Sequence, residues 1–134
     1  MIERLIATLF LLALGVIAYR LMIAWQVRRT TALAPTDPLL TGLKSGVPTV
    51  LYFTTPMCAP CKTQQTPALE RLQAQLGEAV QIVRVDATEQ PDAAQRWGVF
   101  SVPTTFILDG RGTTLAINYG VTEVNTLKQQ IGVA

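Results

Sequence analysis

Apolar residues fill the first part of the chain almost without interruption. Leu5–Val27 is a run of 23 residues in which Arg20 is the only charge. As a helix this run would span about 34 Å, enough to cross the hydrocarbon core of a bilayer. Arg20 lies close enough to the end of the run for its side chain to reach the interface. The pattern predicts one transmembrane helix in an anchor of residues 1–29, followed by a linker of residues 30–36.

A cleaved signal peptide is the alternative interpretation of the same segment. Its apolar core would be Leu5–Tyr19, which has the length of a signal-peptide core. However, the start of the chain is barely basic, and the small-residue site at 32–34 is followed by Pro35, which opposes cleavage. We therefore favour an uncleaved anchor.

Basic residues near the two ends of the segment indicate its orientation. Arg28 and Arg29 follow the segment, whereas Arg4 stands alone before it. Because basic residues favour the cytoplasmic side, we expect a single-pass membrane protein whose domain lies in the cytoplasm. The margin is one to two charges, so an extracytoplasmic domain stays open as the alternative.

Short apolar runs in the rest of the chain predict four strands. The first run is apolar throughout, which is typical of a strand buried on both faces, and the last two are joined by the hairpin signal Asp-Gly-Arg-Gly. The predicted strands are Val47–Phe53, Val80–Asp86, Thr104–Leu108 and Thr113–Tyr119.

Helical patterns alternate with these strands. A short helix is predicted from Asp37 to Gly46, and a second follows the two cysteines and is kinked by Pro67. A third covers Glu89–Trp97, and Thr122 caps a fourth. This order predicts an α/β domain over residues 37–134, with a mixed four-stranded sheet flanked by helices.

Composition narrows the possible chemistry. Positive charge is concentrated in the first 34 residues, whereas the rest of the chain carries seven Lys and Arg against eight Asp and Glu. The domain therefore lacks the basic stripe of a nucleic-acid-binding protein. The chain has no histidine and only two cysteines, which excludes Cys–His catalysis and a four-ligand zinc site of the usual kind. We expect no nucleic acid, no metal and no cofactor.

The two cysteines, Cys58 and Cys61, directly follow the first predicted strand. A Cys-x-x-Cys pair at a strand-to-helix turn places both sulfurs within disulfide reach, with the first at a helix N-terminus, where a thiolate is favoured. A disulfide across so short a loop contributes little stability. We therefore interpret the pair as redox-active, with Cys58 as the attacking thiolate and Cys61 as the resolving thiol.

Two separated motifs together resemble the thioredoxin family. One is the Cys-Ala-Pro-Cys-Lys turn at 58–62, and the other is Val99–Phe106, which contains Val-Pro-Thr before the hairpin. The resemblance covers roughly Asp37 to Val133. It implies a thioredoxin-like fold and a thiol–disulfide oxidoreductase that acts on protein disulfides or dithiols and exchanges electrons with a further redox partner. We expect the domain to be monomeric.

The resemblance also implies which residues form the site. In this family the proline of the second motif is cis and packs beside the reactive disulfide; here it is Pro103, and the backbone next to it pairs with an extended substrate. The residues implied to contact the substrate are Met57, Pro60, Val102, Pro103 and Gly120.

The chain departs from the family pattern near the cysteines. Met57 replaces the usual Trp, and Tyr52 stands where the family has a buried Asp six residues before the first cysteine. Ile82 replaces a frequent Lys, and the helix proline, Pro67, comes six rather than five residues after the second cysteine. These changes leave the exchange chemistry in place, but the proton acceptor for Cys61 and the reductant stay unassigned.

Two other functions remain open for the same residues. Cys58 and Cys61 are suited to hold Cu(I) as two thiolates, and the groove around Pro103 is suited to a non-catalytic binding module. The absence of histidine and of a methionine cluster weighs against copper, and the intact cysteine pair weighs against a pure binding module. We therefore predict a membrane-tethered thiol–disulfide oxidoreductase.

Overall fold

The computed structural model describes residues 1–132, so the last two residues of the predicted domain lie outside the described part. The elements follow the predicted order. They are α1 (Ile2–Leu33), a 3-10 turn (Pro38–Leu40), β1 (Thr49–Thr54), a π-helical turn (Cys61–Gln65) that leads into α2 (Thr66–Leu76), a second 3-10 turn (Gly77–Ala79), β2 (Gln81–Asp86), α3 (Pro91–Arg96), β3 (Thr104–Leu108), β4 (Thr114–Tyr119) and α4 (Val124–Ile131).

The strands form the predicted mixed sheet, in the order β2-β1-β3-β4. β1 is parallel to β2 and antiparallel to β3, and β3 and β4 form an antiparallel hairpin. Every residue of β1 is buried, as its continuous apolar run predicted. β1, β2 and β4 end, and β3 begins, at one edge of the sheet, which we call the cysteine edge.

Each face of the sheet has its own core. The cysteine face buries both cysteines and Tyr52 under the leucines of α2 and α4. The aromatic face buries Phe53, Trp97 and Phe106, and the Phe106 ring makes edge-to-face contacts at 5.7 Å from Phe53 and 5.2 Å from Trp97. The three aromatic residues therefore form the core of this face.

A buried carboxylate anchors the aromatic face. Asp37 accepts hydrogen bonds from the Trp97 indole at 2.9 Å, from the backbone of Leu39 at 2.9 Å and from the Arg96 guanidinium at 3.2 Å. Burial by itself would raise the pKa of Asp37, but these hydrogen bonds and the Arg96 charge outweigh it and hold the pKa below its usual value. Asp37 is therefore a charged link between the start of the domain and α3.

Two predicted helix features differ from the structure. The helix expected from Asp37 to Gly46 is a single 3-10 turn, because the chain is extended at Thr41 and Gly42 adopts a positive φ. Asp37 caps that turn, since its carboxylate accepts the Leu39 N–H. Glu123 rather than Thr122 precedes α4, since the Thr122 backbone is held by the side chain of Gln65.

Pro67 lies inside the helical segment that begins after Cys58 and continues without a break to Leu76. The kink expected there stays a prediction, but the winding of the helix changes directly before the proline. The turn before it widens to a π-helix, in which the Thr66 N–H donates to the carbonyl of Cys61, five residues earlier. A π turn holds one residue more than an α turn, so it accommodates the extra residue between Cys61 and the proline.

α1 extends beyond the predicted anchor. The predicted linker of residues 30–36 is helical as far as Leu33, and Thr30 is buried with its hydroxyl 2.8 Å from that of Thr114. The segment is therefore docked on the domain rather than free, whereas the division of the chain into anchor, linker and domain stays a prediction. Within residues 1–132, α1 is the one helix long and apolar enough to cross a membrane.

Candidate active site

The two cysteines are joined as a disulfide, with their Cα atoms 5.3 Å apart. Cys58 retains 8% exposure, whereas Cys61 is completely buried. Met57, at 92% exposure, and Ala59 and Pro60 are exposed on either side of Cys58 in the sequence. Cys58, the residue predicted to attack, is therefore the more exposed of the two cysteines.

Cys58 occupies the capping position of the helix that carries the pair. Ala59 and Pro60 are already helical, and the Lys62 N–H donates to the Cys58 carbonyl at 3.3 Å. The Cys61 N–H donates to the Cys58 sulfur at 3.2 Å. A sulfur in this position is stabilised as a thiolate by the amide and by the helix dipole, although Pro60 contributes no N–H.

Tyr52 takes the place of the family's buried Asp and reaches the backbone of Cys61. Its hydroxyl lies 3.4 Å from the Cys61 carbonyl and 3.1 Å from the Thr66 hydroxyl. The side chain is 1% exposed, and Thr66, Glu70 and Arg84 line a cleft beside it. Tyr52 thus holds the π turn of the resolving cysteine, a contact that could not be read from the sequence because it depends on that turn.

Pro103 lies at the cysteine edge, at the start of β3. The Val102–Pro103 bond is cis, as the resemblance implies. Phe53, near the end of β1, is paired with Thr104, which places Pro103 beside the segment that leads to the cysteines. Val102 packs against the core that contains both cysteines. The structure therefore brings Val102 and Pro103 to the cysteine edge, while their contact with substrate stays a prediction.

Gly120 borders Pro103 directly. Its N–H donates to the Pro103 carbonyl at 2.8 Å, and its φ of 95° requires glycine. Two residues later, the Thr122 backbone exchanges two hydrogen bonds with the side chain of Gln65, at 2.8 and 3.1 Å. The loop that follows β4 is thereby tied to the π turn of Cys61.

Phe100 is a candidate site residue for which we predicted no role from the sequence. It is 75% exposed and stacks on Tyr119, with ring centroids 5.0 Å apart. Together with Met57 it presents apolar surface near the cysteine edge. The available signal was an aromatic residue immediately before the Ser-Val-Pro loop, where the pattern of α3 and β3 calls for no core position.

Charge at the cysteine edge comes from Lys62 and the acidic residues near the end of β2. Lys62, Asp86 and Glu89 line one cleft. Hydrogen bonds from the Thr88 hydroxyl and backbone lower the pKa of Asp86, so its carboxylate stays charged. The cleft therefore brings charges of both signs to the cysteine edge, since Arg84 also lines it.

Comparison with known sequences points to one family. The family model for thioredoxin matches residues 41–132. Thioredoxin 1 of Synechococcus elongatus is 30% identical over 92 residues, which cover 66% of this chain and 85% of that protein. The thioredoxin of Bacillus subtilis is 35% identical over 68 residues, which cover 50% of this chain and 64% of that protein.

Solved structures agree with the sequence comparison. Malaria parasite thioredoxin-2, described as a component of the parasite's protein secretion machinery, superposes with a TM-score of 0.63 at 26% identity, over 69% of this chain and 89% of its own. Fasciola hepatica thioredoxin, at 24% identity, gives a TM-score of 0.57 over 66% of this chain and 81% of its own. The second similarity shows the fold alone.

Proposed function

This chain belongs to the thioredoxin family, and we propose that it is a membrane-tethered thiol–disulfide oxidoreductase that acts through Cys58 and Cys61. One observation carries the proposal: Cys58, the more exposed of the two cysteines, caps a helix, and its sulfur accepts the Cys61 N–H. This combination of access and amide contact is what an attacking thiolate needs.

The exchange proceeds in two balanced steps. In the reduced chain, the Cys58 thiolate attacks one sulfur of a substrate disulfide; the substrate S–S bond breaks, a mixed disulfide forms, and the other substrate sulfur leaves as a thiolate that takes up a proton. Cys61 then loses its proton and attacks the Cys58 sulfur, which releases the second substrate thiolate. The second substrate thiolate also takes up a proton from solvent, which received one proton when Cys58 ionised and one when Cys61 did. The substrate gains two electrons, and the chain loses the same two electrons as its disulfide forms.

The geometry suits the second step. The Cα separation of 5.3 Å lies within the range that a disulfide bridges without backbone movement. Since Tyr52 contacts the Cys61 carbonyl rather than its sulfur, we propose that Tyr52 positions the π turn and does not accept the Cys61 proton.

Val102, Pro103 and Gly120 form the proposed docking strip for substrate backbone. The strip lies at the cysteine edge, where an extended segment can pair with exposed main-chain groups. Met57 and Phe100 flank it with exposed apolar side chains, suited to the side chains of a protein substrate rather than to a small disulfide.

α1 supports the membrane tether. Its 18-residue apolar window has a mean hydropathy of 2.2 and is not buried by the domain. Cleavage after Ala34 would remove the partners of Thr114, whose hydroxyl contacts Thr30 and whose N–H donates to Thr31 at 3.0 Å. Both facts favour a retained anchor over a cleaved signal.

The activity is tested by reduction of a model protein disulfide by the reduced chain. The wild type should turn over and Cys58→Ser should not, while Cys61→Ser should accumulate a mixed disulfide. Stoichiometric Cu(I) retention without turnover would favour copper handling instead. A stable partner complex unchanged in both Ser variants would identify a binding module.

The tether and its orientation need a separate experiment. Membranes washed with alkaline carbonate should retain the intact chain, whereas a mature protein without residues 1–34 would identify a cleaved signal. A membrane-impermeant thiol reagent added to intact cells should leave reduced Cys58 unmodified if the domain is cytoplasmic. Rapid modification would place the domain outside.

A further inference from the structure

The C-terminal third of α1 is part of the domain surface. Every residue from 1 to 22 is exposed, whereas a stripe that begins at Ile23 and continues through Gln26, Val27, Thr30 and Ala34 is partly or fully buried. The three- and four-residue spacing puts this stripe on one side of the helix. The exposed part of α1, Ile2–Met22, has 21 residues. It spans about 31 Å, close to the thickness of a hydrocarbon core.

The contacts fix the direction of α1 along β4. Near the start of β4, Thr114 is bonded to Thr30 and Thr31. At the end of β4, the Tyr119 hydroxyl donates to the side chain of Gln26. α1 therefore runs antiparallel to β4, so its N-terminal part lies toward the C-terminal end of β4.

The environment of Tyr119 agrees with this direction. Burial raises the pKa of Tyr119, the hydrogen bond to Gln26 opposes the rise, and the nearby Tyr19 adds a smaller increase. Tyr19 lies two turns closer to Met1 than Gln26 does. α1 therefore still runs close to the end of β4 as it leaves the domain.

The end of β4 is the cysteine edge. Gly120 and Pro103 lie there, and the disulfide follows the end of β1 at the same edge. The residues of α1 that enter the proposed membrane segment thus continue past this edge. Met57 and Phe100, the two most exposed apolar side chains in the described part of the domain, lie toward this same edge.

We propose that the cysteine edge faces the membrane surface and that the substrate is a cysteine pair held close to the bilayer by an integral membrane protein. The proposal rests on the membrane tether of the proposed function. The orientation follows from the docking of α1. Because α1 contacts the domain at both ends of β4, the domain cannot turn its cysteine edge away from the membrane. The exposed apolar side chains beside the disulfide suit the interface, where such groups are stabilised.

The orientation is tested by fluorescence quenching in vesicles. The full chain with Trp25→Phe is reconstituted in phosphatidylcholine brominated near the top of the acyl chains, and Phe100→Trp is compared with Leu115→Trp. Leu115 is the matched control, since it is also exposed but lies at the start of β4. Phe100→Trp should lose fluorescence and Leu115→Trp should not. Loss at Leu115→Trp alone, or at neither position, would overturn the orientation.

The substrate class is tested with two transmembrane peptides in the same vesicles. Each peptide carries one loop closed by a disulfide. In one peptide the loop lies directly at the bilayer surface, and in the other a flexible stalk of about 15 residues raises it by roughly 20 Å. The chain, reduced beforehand with dithiothreitol, should reduce the surface loop at least as fast as the stalked loop. A surface loop reduced about tenfold more slowly would contradict the proposal, because an edge that faces away reaches only the stalk.

A soluble peptide with the same loop separates this inference from the proposed function. If the chain reduces the soluble and stalked loops but not the surface loop, the oxidoreductase stands and the membrane-facing site is wrong. If it reduces none of them, or is extracted from the vesicles by alkaline carbonate, the proposed function fails first.

Discussion

The two faces of the sheet differ in what they bury, although adjacent residues of one strand supply both. In β1, Tyr52 points to the cysteine face and Phe53 to the aromatic face, because side chains alternate along a strand. The aromatic face is closed by rings in edge-to-face contact and by the ion pair of Asp37 with Arg96. The cysteine face instead buries a phenol, an amide and a disulfide among leucines.

This difference separates stability from chemistry. The polar groups of the cysteine face, Tyr52 and Gln65, are hydrogen-bonded to the π turn and to the loop after β4, so they position the site. The aromatic face has no redox group and supplies packing that fixes the sheet. Substitutions on the two faces should therefore affect activity and stability to different extents.

The largest expected effect is loss of activity without loss of stability. Cys58→Ser should abolish turnover of a model protein disulfide, because the attacking sulfur is gone. With both proteins reduced, the denaturant midpoint should stay close to that of the wild type, since serine is similar in size to cysteine and is also favoured at a helix start. A variant that keeps wild-type turnover, or one that is strongly destabilised when reduced, would break the separation of the two faces.

Phe106→Ala should produce the opposite result. Removing a completely buried ring that contacts Phe53 and Trp97 should cost about 4 kcal/mol of unfolding free energy, measured by denaturant titration. The folded fraction should keep its rate of disulfide reduction within about threefold, which is less than 1 kcal/mol.

Phe100→Ala is the matched control for that loss. Because Phe100 is mostly exposed, its removal should change the unfolding free energy by less than about 0.5 kcal/mol. Equal destabilisation by the two substitutions would contradict the assigned packing.

Asp37→Asn should make the aromatic face less stable and less sensitive to acid. The variant should lose about 2 kcal/mol at neutral pH, since it weakens charge-assisted hydrogen bonds. The pKa of Asp37 is lowered in the folded protein, so its stabilisation is present above the unfolded value of 3.8 and is lost as pH falls through the folded pKa.

Thermal unfolding between pH 2 and 7 measures this dependence. The wild type should lose stability on acidification, and Asp37→Asn should show a flatter profile. Glu78→Gln, at an exposed carboxyl, serves as the control and should follow the wild type. If stability falls equally with pH in the wild type and in Asp37→Asn, the Asp37 carboxylate does not stabilise the fold through its charge.

The smallest effect is expected from Tyr52→Phe, which tests whether the Tyr52 hydroxyl on the cysteine face serves structure or proton transfer. Losing the hydroxyl that contacts Cys61 and Thr66 should cost about 1 kcal/mol of stability and should leave the pH profile of disulfide reduction unchanged. A rate loss of about 100-fold, or a shifted pH profile, would instead make Tyr52 the proton acceptor for Cys61.

Local patterns were enough to predict the sheet and the cysteine pair. The apolar run of β1 and the Cys-x-x-Cys that follows it lie in one stretch, so the strand, the helix start and the disulfide could all be read together. The second motif added Pro103, because the element order brings the start of β3 beside the end of β1.

Features that depend on distant contacts could not be predicted. Thr30 lies in a segment of small and polar residues that is typical of a tether, and its partner Thr114 is 84 positions away. The π turn is an intermediate case: Pro67 predicted a kink in this helix, and the structure has a wider turn directly before the proline. Tyr52 was noted in the sequence as the replacement for the family's buried Asp, but its contact with the Cys61 carbonyl depends on that turn.

The central claim, that Cys58 is the accessible attacking thiol and Cys61 the protected resolving thiol, is tested most directly by alkylation of the reduced chain. Limiting iodoacetamide at neutral pH, followed by mass spectrometry, should modify Cys58 and leave Cys61 free, as their exposures of 8% and 0% indicate. In denaturant, where the fold no longer distinguishes them, the two should react at similar rates. Equal modification in the native state, or modification of Cys61 first, would contradict the account.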